Sequence, residues 1–364
     1  MHGILLATLA TLVPICRLAN VTHLDPGIRP GEVPVKSYSH TQPNASYYEF
    51  LQLPCDDNKS PCRSAFFQRA PAQRPAESLA FPDLPGVAFG KAQRPVLVVI
   101  PGCASAAVSY WEKIDCETQL LHHSHLRGWH VVVPEPTTID IRNLTQEEQS
   151  MRPGYINEFG IRAGFNPGAW AEADGCAIKL QHVDDVRYFT RLLDVLGERA
   201  DVDASQIFVL GLSNGANMLF NLTCTLSHRV AGFIGSQALP IRRNFHSRCK
   251  QLGKQLKPLL LLTGTQDATN GQQQINFVKL QAEEAQCQQH RVYRHPHARC
   301  AVSQGCVGAQ DYTHCLLPRV AHRYAGDGCF HSDFLFSAVP TVFKTSNYLF
   351  YWVQQVRCLS HDLL

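Results

Sequence analysis

Gly211-Leu212-Ser213-Asn214-Gly215 follows directly on the apolar run Ile207-Phe208-Val209-Leu210 and leads into Ala216-Asn217-Met218-Leu219-Phe220. A chain passes from strand to helix in so few residues only through a tight turn, where bulky residues two before and two after the apex would collide. Glycine at 211 and 215 removes both collisions. The pattern predicts a buried strand, a sharp bend with Ser213 at its apex, and a helix. Glycine and serine are also ordinary loop residues. The β-run in front and the helix-forming stretch behind give the pattern its meaning, and they make Ser213 the candidate nucleophile.

The surrounding chain repeats short apolar runs bounded by Gly, Pro or polar residues: Val96–Ile100, His130–Pro134, Ile207–Leu210, Gly232–Ser236, Leu259–Thr263 and Tyr312–Leu317. Runs of this kind are strands covered on both faces. Between the second and third, Val183, Val186, Phe189, Leu193 and Leu196 recur at helical spacing, with Asp184, Asp185, Arg187 and Arg191 expected to face water. Alternating strands and helices predict an α/β fold with a mostly parallel central sheet flanked by helices. Asp201–Gln206 reads as a connector into the Ser213 strand. Residues 142–181 and 288–311 read as non-periodic insertions, and Thr345–Arg357 as a last helix with an apolar aromatic face.

A serine needs a base, and the base needs an orienting group. Gly264-Thr265-Gln266-Asp267 follows the Leu259–Thr263 run, which places Asp267 at the sheet edge where Ser213 sits; a solvated loop aspartate is the alternative. His322 follows the Tyr312–Leu317 run by a short loop and is the preferred base, with His331 as runner-up; His314, inside that run, reads as structural. Backbone N–H groups of Asn214 and Cys103 are the candidate oxyanion donors, Cys103 lying in the small-residue stretch after Val96–Ile100. Gly102 would let that stretch approach a substrate closely. Trp170, in Asn166-Pro167-Gly168-Ala169-Trp170, is equally a substrate wall or a buried anchor.

The chain of 364 residues carries a net charge of +3 and no basic block, so neither nucleic acid nor a polybasic membrane contact is expected. Ile4–Ile15 is apolar but too short to span a bilayer, and residues 1–19 read as a leader, although Arg17 makes a poor cleavage context. Residues 20–75, rich in Pro, Ser and Asn, read as an extension packed on the surface of one catalytic domain at 76–364. The 14 cysteines point to disulfides and an oxidising compartment, and losing Cys16 with the leader would leave an odd number. Cys300, Cys306 and Cys315 lack paired zinc-ligand spacing, which favours disulfides over metal. Sequons at Asn20, Asn44, Asn58, Asn143 and Asn221 fit a secreted glycoprotein, with Asn221 close enough to the Ser213 turn to be buried.

These pieces resemble the secreted poly(3-hydroxybutyrate) depolymerase and feruloyl esterase group of α/β-hydrolases. The resemblance covers roughly residues 94–322. It rests on Arg94–Cys103, Val183-Asp184-Asp185-Val186, Val202–Ile207, Gly211–Met218 and Gly264–Asp267. It implies carboxylic ester hydrolysis, with Ser213 and Asp267 on the nucleophile and acid positions; together with the leader, cysteines and sequons the reading is a secreted serine esterase that needs no cofactor and acts on an ester, small or polymeric. The chain departs from that group at Pro101, where His is usual, and at Arg319-Val320-Ala321-His322, where three glycines usually precede the histidine. It departs again after Asp267, which is followed by Ala268-Thr269-Asn270. An inactive hydrolase fold used for extracellular binding is the alternative, and amide hydrolysis would use the same triad.

Overall fold

A computed structural model describes residues 48–53, 63–74, 90–102, 124–125, 127–140, 161–166, 183–236, 245, 249, 256–265, 267, 283–295, 298–307 and 312–317. All of them fall in one unit, Gln42–Leu364. Its centre is a 10-stranded sheet. In chain order the strands are β1 (Tyr48–Gln52), β2 (Ser64–Gln68), β3 (Arg94–Ile100), β4 (His130–Pro134), β7 (Val202–Leu212), β8 (Gly232–Ser236), β9 (Leu259–Gly264), β10 (Gln289–His295), β11 (Ala298–Gln304) and β12 (Tyr312–Leu317). Two more strands, β5 (Thr137–Asp140) and β6 (Ile161–Gly164), form a separate antiparallel pair. The spatial order is β1-β2-β4-β3-β7-β8-β9-β12-β11-β10. From β4 through β12 the neighbours run parallel, while both flanks are antiparallel.

β3, β4, β8 and β9 are buried at every residue, as strands covered on both faces must be. Among the described residues two helices pack on the sheet, α1 (Asp185–Gly197) and α2 (Asn214–Thr225). Phe189, Leu192, Leu193 and Leu196 of α1 and Ala216, Met218, Leu219, Phe220 and Leu222 of α2 join β3, β7 and β9 in one apolar core. The mostly parallel sheet flanked by helices is an α/β fold, and disulfides fasten several of its elements. Cys300 and Cys315 are register partners across β11 and β12, and are disulfide-bonded. Cys287–Cys306 closes the base of the β10–β11 hairpin, and Cys224–Cys249 ties down the end of α2. Among the described residues no cysteine is free.

Each apolar run of the sequence is a strand, but several polar strands escape that signal. β1 and β2 lie within the segment 20–75; they pair with each other, and β2 pairs with β4. All of the expected connector Asp201–Gln206 but Asp201 is instead the first half of β7. Its exposed Ala204 and Ser205 show no apolar run, because continuous burial begins only at Ile207. The segment 288–311 holds the β10–β11 hairpin, whose outer strand exposes Gln289, Arg291 and Val292. α1 also differs in one respect that bears on the site. Asp184 and Arg187 do face water, and Asp184 caps the helix by accepting from the Arg187 N–H at 3.0 Å. Asp185 does not face water; it is 1% exposed. Arg191 is half-buried, and Tyr188 and Leu192 extend the apolar face beyond the residues the spacing picked out. The helix Thr345–Arg357 and the leader 1–19 lie outside the described residues.

Candidate active site

Leu212 is the last residue of β7 and pairs with Ser236 of β8. The next residue, Ser213, has φ 52° and ψ −114° and precedes the first residue of α2. Its N–H still donates to the Ser236 carbonyl at 3.0 Å, as a strand residue would. Its own carbonyl already accepts from Ala216 and Asn217 at 2.9 and 3.2 Å, as a helix start would. Ser213 therefore belongs to both elements at once. That double membership forces the positive φ, a region costly for any residue with a Cβ.

The flanking glycines make the bend possible. A Cβ on Gly211 would lie 2.4 Å from the Gly215 carbonyl oxygen, and one on Gly215 would lie 2.3 Å from the Ile100 oxygen and 2.5 Å from that of Pro101. The ends of β3 and β7 and the start of α2 thus pack backbone to backbone. Gly102 completes the cluster: a Cβ there would stand 3.5 Å from the Ser213 Cβ. The loop that leaves β3 therefore passes directly beside the serine, where an oxyanion loop would have to run.

Asn214 is 1% exposed, and its Oδ1 accepts from the Phe165 N–H at 2.9 Å. Amides in the first turn of a helix have no acceptor within it, and they carry the positive end of its dipole. Asp267 is 4% exposed and its N–H closes a turn onto the Gly264 carbonyl at 3.1 Å. Ser213 and Asp267 both follow the carboxyl ends of parallel strands, β7 and β9, that flank β8. Ser213, Asn214 and Asp267 are thus brought to one edge of the sheet. Cys103, Trp170, His322 and His331 lie outside the described residues, as do Asn20, Asn44, Asn58 and Asn143. Asn221 is on α2 and half-buried. The hydroxyl of its sequon residue Thr223 is buried and donates to the Leu219 carbonyl at 2.9 Å. Among the described residues no cluster of His, Cys, Asp or Glu could hold a metal ion, and no helix is long and apolar enough to cross a membrane.

His314 sits inside β12 with its Nε2 3.0 Å from the Thr263 hydroxyl of β9. Burial depresses its pKa to about 4. A ring so hard to protonate is a poor general base and instead ties two strands together. Its consequence is acid sensitivity. The folded state resists protonation while the unfolded chain takes up the proton near pH 6.5, so stability is complete above that value and falls as pH drops toward 4. The loss attributable to this ring is roughly 3 kcal/mol. Urea midpoints measured between pH 7 and 4 should fall less steeply for His314→Gln than for wild type; equal slopes would remove His314 as the cause.

Sequence spacing did not reveal the buried network behind Asn214. Asp185 pairs with Arg63, whose guanidinium also lies 3.8 Å from the Tyr188 ring centroid. The Asp185 Oδ2 accepts from the Asn166 N–H at 2.5 Å, and the Asn166 side chain donates to the Val183 carbonyl at 3.0 Å. Tyr188 donates to the Ser64 carbonyl at 2.7 Å and accepts from the Glu135 N–H at 3.0 Å. Burial pushes the Asp185 carboxyl above its ordinary pKa, against the opposing pull of Arg63. The one available signal was the Asp184-Asp185 doublet opening α1, where only one of the two can cap the helix.

No family model matches the chain, and no curated protein matches its sequence. Solved structures do resemble it. S-formylglutathione hydrolase FrmB of Staphylococcus aureus is 12% identical over 82% of this chain and 98% of its own, with a TM-score of 0.46. Acetyl xylan esterase of Aspergillus awamori is 11% identical over 75% and 94%, at 0.49. A Bacillus cereus carboxylesterase is 14% identical over 77% and 95%, at 0.41.

Proposed function

We propose that the chain is a secreted serine hydrolase that cleaves carboxylic esters through Ser213. The observation that carries this reading is the backbone of Ser213. It holds a positive φ between a buried parallel strand and a helix, with a glycine on each side packed against a neighbouring backbone. Strain of this kind persists where surrounding structure enforces it, and it clusters at functional sites. The effect of the bend is to lift a hydroxyl clear of the sheet edge beside the first amides of α2.

In this mechanism His322, or His331 in its place, takes the Ser213 proton as Oγ attacks the ester carbonyl. Asp267 holds the imidazole in the right tautomer and stabilises its charged form. The Asn214 and Cys103 N–H groups hold the tetrahedral oxyanion, the alcohol leaves with the proton from the histidine, and water releases the acyl-enzyme. No cofactor enters these steps. Trp170 is a candidate wall for the substrate. Secretion is supported by the three disulfides among the described residues, since such bonds form in oxidising compartments, and by the leader-like residues 1–19. The resemblance to poly(3-hydroxybutyrate) depolymerases and feruloyl esterases nominates hydroxyalkanoate and aryl esters as first substrates.

Two measurements test the reading together. A fluorophosphonate probe should label the protein on Ser213, located by mass spectrometry of the adducted peptide. p-Nitrophenyl acetate or butyrate should be turned over, and a panel of feruloyl and hydroxyalkanoate esters would then rank the acyl groups. A protein that neither reacts with the probe nor hydrolyses any short acyl ester is instead a binding protein built on this fold.

A further inference from the structure

Two consecutive amides of the segment that follows β6 are committed to different helices. The Phe165 N–H donates to Asn214 Oδ1 at the start of α2, at 2.9 Å. The Asn166 N–H donates to Asp185 Oδ2 at the start of α1, at 2.5 Å. The Asn166 side chain adds a second latch, to the Val183 carbonyl at 3.0 Å. The Phe165 ring is fully buried, 5.7 Å from the Phe189 ring of α1. Residues 165 and 166 thus form a peg between the two helix starts, and Asp185 is the charged group that holds it.

Stability is a weak reason to keep such a pair. The Asp185 and Arg63 side chains are 0% and 7% exposed. Desolvating two charges costs several kcal/mol each, and well-packed apolar replacements are often as stable or more so. A carboxylate does supply an acceptor of fixed position for an amide that would otherwise be buried without one.

We propose that Asp185, held by Arg63, is a positioning residue of the Ser213 site: it fixes the Phe165–Asn166 peg, which fixes Asn214 and with it the backbone amide next to the nucleophile. The inference rests on the ester-hydrolase reading. Neither Asp185 nor Arg63 touches the reacting atoms. Its effect appears in the transition state, where the oxyanion amide must be in place, rather than in ground-state binding.

The test is a mutant cycle with kcat and KM measured separately on p-nitrophenyl butyrate. Asp185→Asn and Asn214→Ala should each lower kcat roughly ten- to a hundredfold, the scale of a misplaced catalytic group. KM should move less than about threefold, since an interaction felt only in the transition state is being lost. The double variant should be no slower than the slower single variant, because both act through one peg. The paired replacement Arg63→Met with Asp185→Leu separates positioning from stability: it should melt at or near the wild-type temperature yet remain slow. Should Asp185→Asn not fold, this pair takes its place in the cycle. Wild-type kcat in the pair, or losses that multiply in the double variant, would overturn the inference. An inactive wild-type protein would be a different result, removing the ester-hydrolase reading itself.

Discussion

Ser213→Gly is expected to give a protein more stable than wild type and without hydrolytic activity. The serine holds φ 52° and ψ −114°. Glycine enters that region without a steric penalty, whereas a residue with a Cβ gives up on the order of 1–3 kcal/mol there. Part of the gain is offset by the greater freedom of glycine in the unfolded chain, so a net gain of about 1 kcal/mol is expected. Ser213→Ala keeps the Cβ and therefore the strain, and should melt close to wild type. Both variants should lose turnover by about six orders of magnitude, the scale on which a triad serine is missed. With Asp267 as the proposed partner of the base, Asp267→Asn should fall about ten-thousandfold, spoiling the tautomer without removing the nucleophile. Differential scanning calorimetry beside ester turnover checks the pattern. A Ser213→Gly protein that melts below the alanine variant would mean that the bend is not strained. An active Ser213→Ala protein would mean that another residue is the nucleophile.

The same geometry explains what the sequence made legible. A buried parallel strand must be apolar on both faces, so the runs at 130–134, 232–236 and 312–317 coincide with β4, β8 and β12 to the residue. The Ser213 turn was legible because its constraint is local: only glycine fits at 211 and 215, whatever the rest of the chain does. Strands at the margins obey no such rule. β10, at the edge of the sheet, exposes Gln289, Arg291 and Val292 and carries mostly polar residues, and the first half of β7 takes its place from β3 through a register shift between Arg94 and Val96. Asp185 was misread for a related reason. Helical periodicity assigns a charge to the wet face by default, and Arg63, its partner, is far away in sequence. A contact that depends on how β2 is laid across the sheet leaves no mark on either segment. Asn214 carried a visible role only through its backbone, while the use of its side chain depends on where β6 ends.

Gly215→Ala is expected to damage folding and catalysis together, while Gly102→Ala damages neither fold nor stability. Both glycines border Ser213, and both would place a methyl group among backbone atoms. The difference is distance. The added methyl at 215 would sit 2.3 Å from the Ile100 oxygen, and neither β3 nor α2 can yield without moving a strand or helix of the core. Overpacking of this kind typically costs about 1–3 kcal/mol, more where backbone must shift. The movement that relieves it carries the first turn of α2 away from β3, separating the Asn214 amide from the loop after Ile100. A displacement near 1 Å is worth about a hundredfold in rate. Surviving folded Gly215→Ala protein should therefore be slow even at low temperature, where the loss of stability no longer limits it. At Gly102 the methyl meets the Leu212 oxygen at 3.4 Å and the Ser213 Cβ at 3.5 Å, which are ordinary contacts. That variant should melt within about 0.5 kcal/mol of wild type. The comparison separates close packing from mere proximity to the serine: if Gly215→Ala melts and turns over like Gly102→Ala, the bend at Ser213 is not held by the backbone contact of β3, β7 and α2.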